Sequence, residues 1–254
     1  MIQELVALDV YRIFLTFVRV GGAILVLPGF SATMVPVQVR LLIAVAVSLA
    51  LSPFTMTVLP PPPDDTGGLF LLLGSELTVG IFVGALAQFL MAAVHFAGTV
   101  VSLSASLANA FVYDTVSESQ GALVTSFLNL ATLTLVFVTG VHILMLEALV
   151  QSYSLFVPGA GLPVADMGDS LAGVLGRSFV IGLRLASPFL VYSMVYQTAL
   201  GITARLMPQL NVFFVALPVQ IFLAFAMMVL AVPAILIWQM AYIENGLRTF
   251  ITGG

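Results

Sequence analysis

The chain has 254 residues, of which 61% are hydrophobic and 7% charged, and its mean hydropathy is +1.19. Too few charged side chains are present to cover a water-soluble globule of that length, so the composition places the protein in or against a membrane. The formal net charge is −4, with seven arginines and no lysine, so no basic tract is available to hold a phosphate backbone and nucleic acid is not expected as a partner.

The absence of cysteine removes disulfides and thiolate metal sites. Glu4 and Asp9 precede the first apolar segment where a secretory signal would be cationic, so this segment is expected to be retained. No charge occurs from Val20 to Val39, Leu41 to Pro63, Leu77 to Tyr113, Ser119 to Leu146, Leu185 to Ala204 or Leu206 to Ile243. Each interval reaches the roughly 20 residues that a helix needs to cross a hydrocarbon core. Arg40 against Asp64 and Asp65 weakly places the loop of the 30s inside and that of the 60s outside.

In chain order the pattern is all helical. A first helix is expected over about Leu5–Leu27, with Arg12 and Arg19 on nearly one face. Those arginines either snorkel and support packing or dock onto acidic groups of a neighbouring subunit. Pro28, Gly29 and Pro36 bound a short connection, and a second helix from Val37 to Leu51 is stopped by Pro53. The stretch Leu59–Gly68, with four consecutive prolines, is a stiff exposed connector.

Leu69 to about Leu107 is long for one span. In a continuous helix, Glu76, Gly80, Gly84, Gln88, His95, Gly98 and Ser102 fall within about a third of its circumference. Gly80 and Gly84 form a small-xxx-small pair that permits close helix approach. This stripe is expected to be an intersubunit seam. The polar loop from Asn109 to Gln120, NAFVYDTVSESQ, carries the aromatics Phe111 and Tyr113.

Ala122–Val157 is one helix or two with a break near Gly140, and contains His142 and Glu147. Pro158–Asp169, rich in Pro, Gly and Asp, is the expected internal boundary. Two long helices follow, Leu171–Leu200 and Val212–Ile243, kinked at Pro188 and Pro233. Arg177 and Arg184 repeat the seven-residue spacing of the first helix. Between the two helices stands TARLMPQLNVFFVALP, residues 203–218. Pro208 biases Met207 away from helix, and Asn211 is suited to cap the next one.

No enzyme emerges. There is no metal-ligand cluster, phosphate-binding glycine loop or nucleophile–base pair, and His95 and His142 stand apart, so no cofactor is expected. Glu76 and Glu147 form a buried pair only if packing joins them. A proton-coupled small-molecule transporter using Glu76, His95, His142 and Glu147 is an alternative; internal repeats would support it, but the proline-broken regions 28–36 and 208–218 do not align in their flanks.

Arg205, Pro208-Gln209-Leu210-Asn211, the aromatic pair containing Phe213, and Pro218 resemble the signature of the FliR family of flagellar export-gate proteins. Arg19, Pro28, Ser31, Pro36, Arg40 and Pro53 are similar to that family's opening, and Ala97-Gly98 and Gly140 with His142 extend the resemblance over nearly the whole chain. It implies an all-α, membrane-associated export-gate subunit: a FliP-like part over 1–165 joined to a FliQ-like helical hairpin over 166–254 with its break at 203–218. It further implies assembly with FliP and FliQ, contact with FlhB and FlhA, passage of unfolded flagellar proteins, no catalysis, and a place in the bacterial inner membrane at the flagellar basal body. Helices of that family are largely lifted out of ordinary bilayer-spanning positions.

By the same resemblance, the loop 109–120, with Phe111, Tyr113, Asp114 and Gln120, plugs the channel. The chain departs from the family here: Asp114-Thr115 replaces a common Asp-Pro, and SLSASLA stands where Gln-Met-Gly is usual. The injectisome counterparts of FliR share the C-terminal motif and form a second reading.

Overall fold

A computed structural model describes residues 2–31, 35–55, 57–104, 111–114, 119–207, 209 and 212–252. The helices are α1 (Ile2–Val26), α2 (Val37–Thr55), α3 (Thr66–Ser104), α4 (Leu123–Val138), α5 (Val141–Leu155), α6 (Val164–Leu206) and α7 (Val212–Thr252). Two short strands, β1 (Phe111–Asp114) and β2 (Ser119–Ala122), lie between α3 and α4. Four segments among the described residues are long and apolar enough to cross a membrane: α2, α3, α6 and Pro218–Thr252 of α7. The α4–α5 pair makes a fifth if counted as one broken span.

Several helices run further than their prolines and loops suggest. α6 starts at Val164 and ends at Leu206, so the interruption before α7 narrows to 207–211, and Pro218 lies inside α7. α2 continues past Pro53 to Thr55. A proline withholds the N–H that the carbonyl four residues earlier would accept. In α2 that carbonyl belongs to Leu49 and receives the Ser52 hydroxyl at 2.9 Å. In α6 the carbonyl facing Pro188 belongs to Arg184 and receives the Ser187 hydroxyl at 2.8 Å. A serine directly before each of these two prolines supplies the missing donor.

Contacts divide the chain into two compact units, one of Met1–Leu90, Phe137–Val174 and Ile243–Gly254, the other of Met91–Val136 and Leu175–Tyr242. They do not follow the expected division at 165/166. α3, α6 and α7 each contribute residues to both units, because long helices bury lateral surface along their length, irrespective of chain order.

In the first unit, α1 and α3 cross closely. A Cβ on Gly22 would lie 2.9 Å from the Leu77 carbonyl oxygen, and one on Gly84 2.8 Å from that of Ala23. Leu15, Leu59, Leu72 and Tyr153 form a buried cluster beside this crossing, with Tyr11 and Leu73 packed against it. Gly140, at φ 79°, separates α4 from α5.

In the second unit, Val94, Ala97 and Val101 of α3, Val124 and Leu128 of α4, Leu185, Ala186 and Phe189 of α6, and Ile235 of α7 form the core. Gly98 and Gly182 again mark the tight approaches: a Cβ would meet Thr125 Cα at 2.6 Å and the Ala93 carbonyl at 2.7 Å, respectively.

Candidate functional site

The most buried charge in the first unit is Arg19 on α1, 0% exposed, opposite Glu76 on α3, 1% exposed. Arg19 Nε donates to Glu76 Oε2 at 2.6 Å and Nη2 to Oε1 at 2.9 Å, a bidentate pairing that matches the planar guanidinium fork to the carboxylate. Nη2 also donates to the carbonyl of Phe156 at 3.0 Å, and Nη1 to Ser152 Oγ at 3.2 Å. The guanidinium carbon stands 3.9 Å from the centroid of the Tyr153 ring.

Sequence-local features prepare each contact. Glu76 and Gly80 are one turn apart on α3, so the carboxylate faces α1 where the absence of a side chain at Gly80 lets the helices meet. A Cβ at Gly80 would collide with the carbonyl oxygen of Arg19 itself. Phe156 is the C-cap of α5, so Arg19 places its positive charge on an end carbonyl of that helix, where the dipole favours a cation. Burying two ions is costly unless geometry is good and the remaining donors are satisfied, and four guanidinium hydrogen bonds meet that condition.

This arrangement revises two sequence expectations. Arg19 docks onto an acidic group of its own chain, and Glu76 pairs with Arg19, whereas Glu147 is exposed. The small-and-polar stripe of α3 likewise meets elements within the chain: Gly80 and Gly84 meet α1, while His95 Nδ1 lies 3.1 Å from Asn129 Nδ2 and Gly98 packs on Thr125. Gln88 of the stripe is half-buried. The sequence pattern missed Ser152 and Tyr153; the sequence signal for them is the run of hydroxyl-bearing residues Ser152, Tyr153 and Ser154 at the end of α5.

The other candidate residues fall at turns and helix ends. Pro28 is buried in the turn after α1, where Gly29 adopts φ 87°. The Pro36 carbonyl accepts the Arg40 amide at 3.1 Å, and Arg40 Nη2 reaches back to the Val35 carbonyl at 3.2 Å, closing the start of α2. Arg205 occupies the last turn of α6 and is exposed, as is Gln209. Pro208 and Asn211 lie outside the described residues; Phe213 falls in the first turn of α7, and Pro218 is exposed on that helix.

The 109–120 region, expected as an irregular loop, contains an antiparallel ribbon. Phe111 pairs with Ala122, Val112 with Gly121, Tyr113 with Gln120 and Asp114 with Ser119. Phe-Val-Tyr has strong strand preference, and the pairing satisfies backbone groups that an irregular segment would leave open. Tyr113 and Gln120, far apart within the loop sequence, are thus cross-strand partners.

Residues 10–245 match the family of Bacterial export proteins, family 1. The chain belongs to that family. It is 31% identical over 239 residues to the flagellar biosynthetic protein FliR of Caulobacter vibrioides, covering 94% of this chain and 95% of that relative. It is 28% identical over 236 residues to FliR of Bacillus subtilis, covering 91% and 90%. The Yop proteins translocation protein T of Yersinia pestis is 25% identical over 233 residues, covering 91% and 89%. The FliR resemblance of the two proline-containing motifs therefore extends to the chain as a whole, and membership makes this a component of a bacterial export apparatus. In family terms, the Arg19–Glu76 centre and the β1–β2 ribbon both fall inside the matched region.

Proposed function

We propose that this chain is a structural, pore-forming subunit of the flagellar type III export gate. It assembles with FliP and FliQ in the bacterial inner membrane at the basal body, meets FlhB and FlhA, and passes unfolded flagellar proteins without chemistry of its own. The observation that carries this reading is the similarity to FliR along nearly the entire chain, at 94% coverage. The N-terminal part serves as the FliP-like portion, and α6 with α7 as the FliQ-like hairpin. The β1–β2 ribbon, with Phe111, Tyr113, Asp114 and Gln120, is the channel plug: aromatic bulk on a short hairpin closes a pore by reversible van der Waals contact. Arg205 and the Pro208–Asn211 motif hold the interruption between α6 and α7.

The transporter alternative loses ground because Glu76, its first candidate proton carrier, is held by both oxygens in an ion pair. The injectisome reading shares the family, through a relative 25% identical to this chain. The discriminating experiment is affinity purification from the native membrane in mild detergent, followed by identification of the co-purifying chains. FliP and FliQ are expected. Injectisome subunits would retain the mechanism with different cargo, and a stable monomer would overturn both.

A further inference from the structure

α7 changes its surroundings near its end. Its residues up to Tyr242 belong to the second unit, whereas those from Ile243 onward belong to the first. These last turns have two unlike sides. On one side Glu244 and Arg248 form an exposed i,i+4 ion pair at 2.9 Å, which supports helix to the end of the element. On the other, Ile243, Gly246, Leu247 and Phe250 recur at helical spacing, and Ile243 and Leu247 are buried. That side meets α3: a Cβ on Gly246 would lie 2.6 Å from Leu90 Cδ2, and the Phe250 ring stands 6.2 Å from that of Phe82.

Phe82 carries the contact further. Its buried ring also stands edge-on to Phe156, with centroids 5.5 Å apart and planes at 75°. Phe156 closes α5: its amide donates to the Ser152 carbonyl at 2.8 Å, and its own carbonyl accepts Arg19 Nη2 at 3.0 Å. Three rings therefore run in sequence from the end of α7, through α3, to a residue that holds the buried arginine. The last carbonyls of a helix have no intrahelical donor to fix their direction. At Phe156 that direction is set by the Arg19 bond on one side and by what the ring packs against on the other.

We propose that the last turns of α7 are a clasp that positions the end of α5 for Arg19, with Phe250 acting through Phe82 on Phe156. Phe250 and Phe82 are positioning residues. The Arg19 centre, whose bonded members lie on α1, α3 and α5, is then complete only once α7 has docked, and loosening at the end of α7 reaches the buried arginine by a defined route. The clasp works in the same way whichever export apparatus the chain serves.

Amide hydrogen exchange of the full chain in mild detergent, read by mass spectrometry, tests the clasp at the peptide covering Ser152–Val157. Phe250→Ala is expected to speed exchange there about tenfold while the peptide around Leu185–Phe189, in the second unit, keeps its wild-type rate. Phe250→Leu, which retains most of the apolar bulk, is expected to stay within about threefold of wild type. In a Phe82→Leu background the route is already cut, so Phe250→Ala is expected to add less than about twofold. Unchanged exchange at Ser152–Val157, equal acceleration in both peptides, or an undiminished effect in the Phe82→Leu background would overturn the clasp. A second measurement covers the case in which Phe250→Ala does not fold. The chain has no native cysteine, so Leu90→Cys with Gly246→Cys supplies a single pair whose disulfide holds α7 on α3. The oxidised form is expected to exchange at Ser152–Val157 about tenfold more slowly than the reduced form. A pair that stays reduced under oxidant, or equal rates in the two forms, would overturn the proposal.

Discussion

Arg19 joins three helices with one side chain: it is carried by α1, paired to α3 through Glu76 and set on the end of α5 through Phe156. Removing one ion strands the other in a dry interior, so Arg19→Met is expected to destabilise the protein by about 3–5 kcal/mol, while Arg19→Met with Glu76→Leu recovers most of that loss. Thermal unfolding in detergent, followed by circular dichroism, measures both; equal melting of the single variant and wild type would refute the assignment. The glycines provide a second comparison. Gly80→Ala would drive a methyl into the Arg19 carbonyl, whereas a Cβ at Gly21 meets nothing within 4 Å. Gly21→Ala is therefore expected to be neutral or to stabilise by up to about 1 kcal/mol, the helix-propensity difference, and Gly80→Ala to lower the yield of folded protein sharply.

At the scale of the element, a serine before Pro53 and before Pro188 satisfies the carbonyl that each proline leaves without its backbone donor. Ser52→Ala leaves the Leu49 carbonyl without its donor and is expected to cost about 1 kcal/mol; adding Pro53→Ala returns a backbone N–H and with it the stability. The same melting assay reads this pair, and no recovery in the double variant would show that the hydroxyl does something else. The ribbon is the other element with a consequence. Two strands of four residues have little stability alone, so the ribbon can open at low cost. If it seals the channel, a chain lacking Phe111–Gln120 assembles into a gate that leaks small ions, measured as conductance or dye entry in cells. A tight gate after the deletion removes the plug assignment.

For the whole molecule, the apolar surface is distributed unequally: the span-length window of α3 is 61% buried within the chain, that of α7 11%. α3 is thus an interior helix even in the isolated chain, and α7 draws its cover from lipid or other subunits. Arg205 tests the assembly at this scale. Arg205→Gln is expected to co-purify with FliP and FliQ at wild-type levels if the residue acts on passing substrate, and to lose them if it holds the α6–α7 interruption. The structural role proposed above expects the second result, read by pull-down and by export of flagellar protein into the medium.

The sequence by itself determined helix content, membrane association and family. These depend on composition, on charge-free runs of span length and on local proline and glycine chemistry, all of which are written along one chain. It also singled out Arg19, Glu76 and Gly80 as unusual on apolar helices. Only the tertiary structure decided that Arg19 and Glu76 belong together, 57 residues apart, that the α3 stripe closes on its own chain, and that α2 passes through Pro53. The reason is physical: periodicity fixes which face a residue occupies, but which helix comes to cover that face depends on close approach at glycines and on satisfaction of buried charge, which are properties of the packed state.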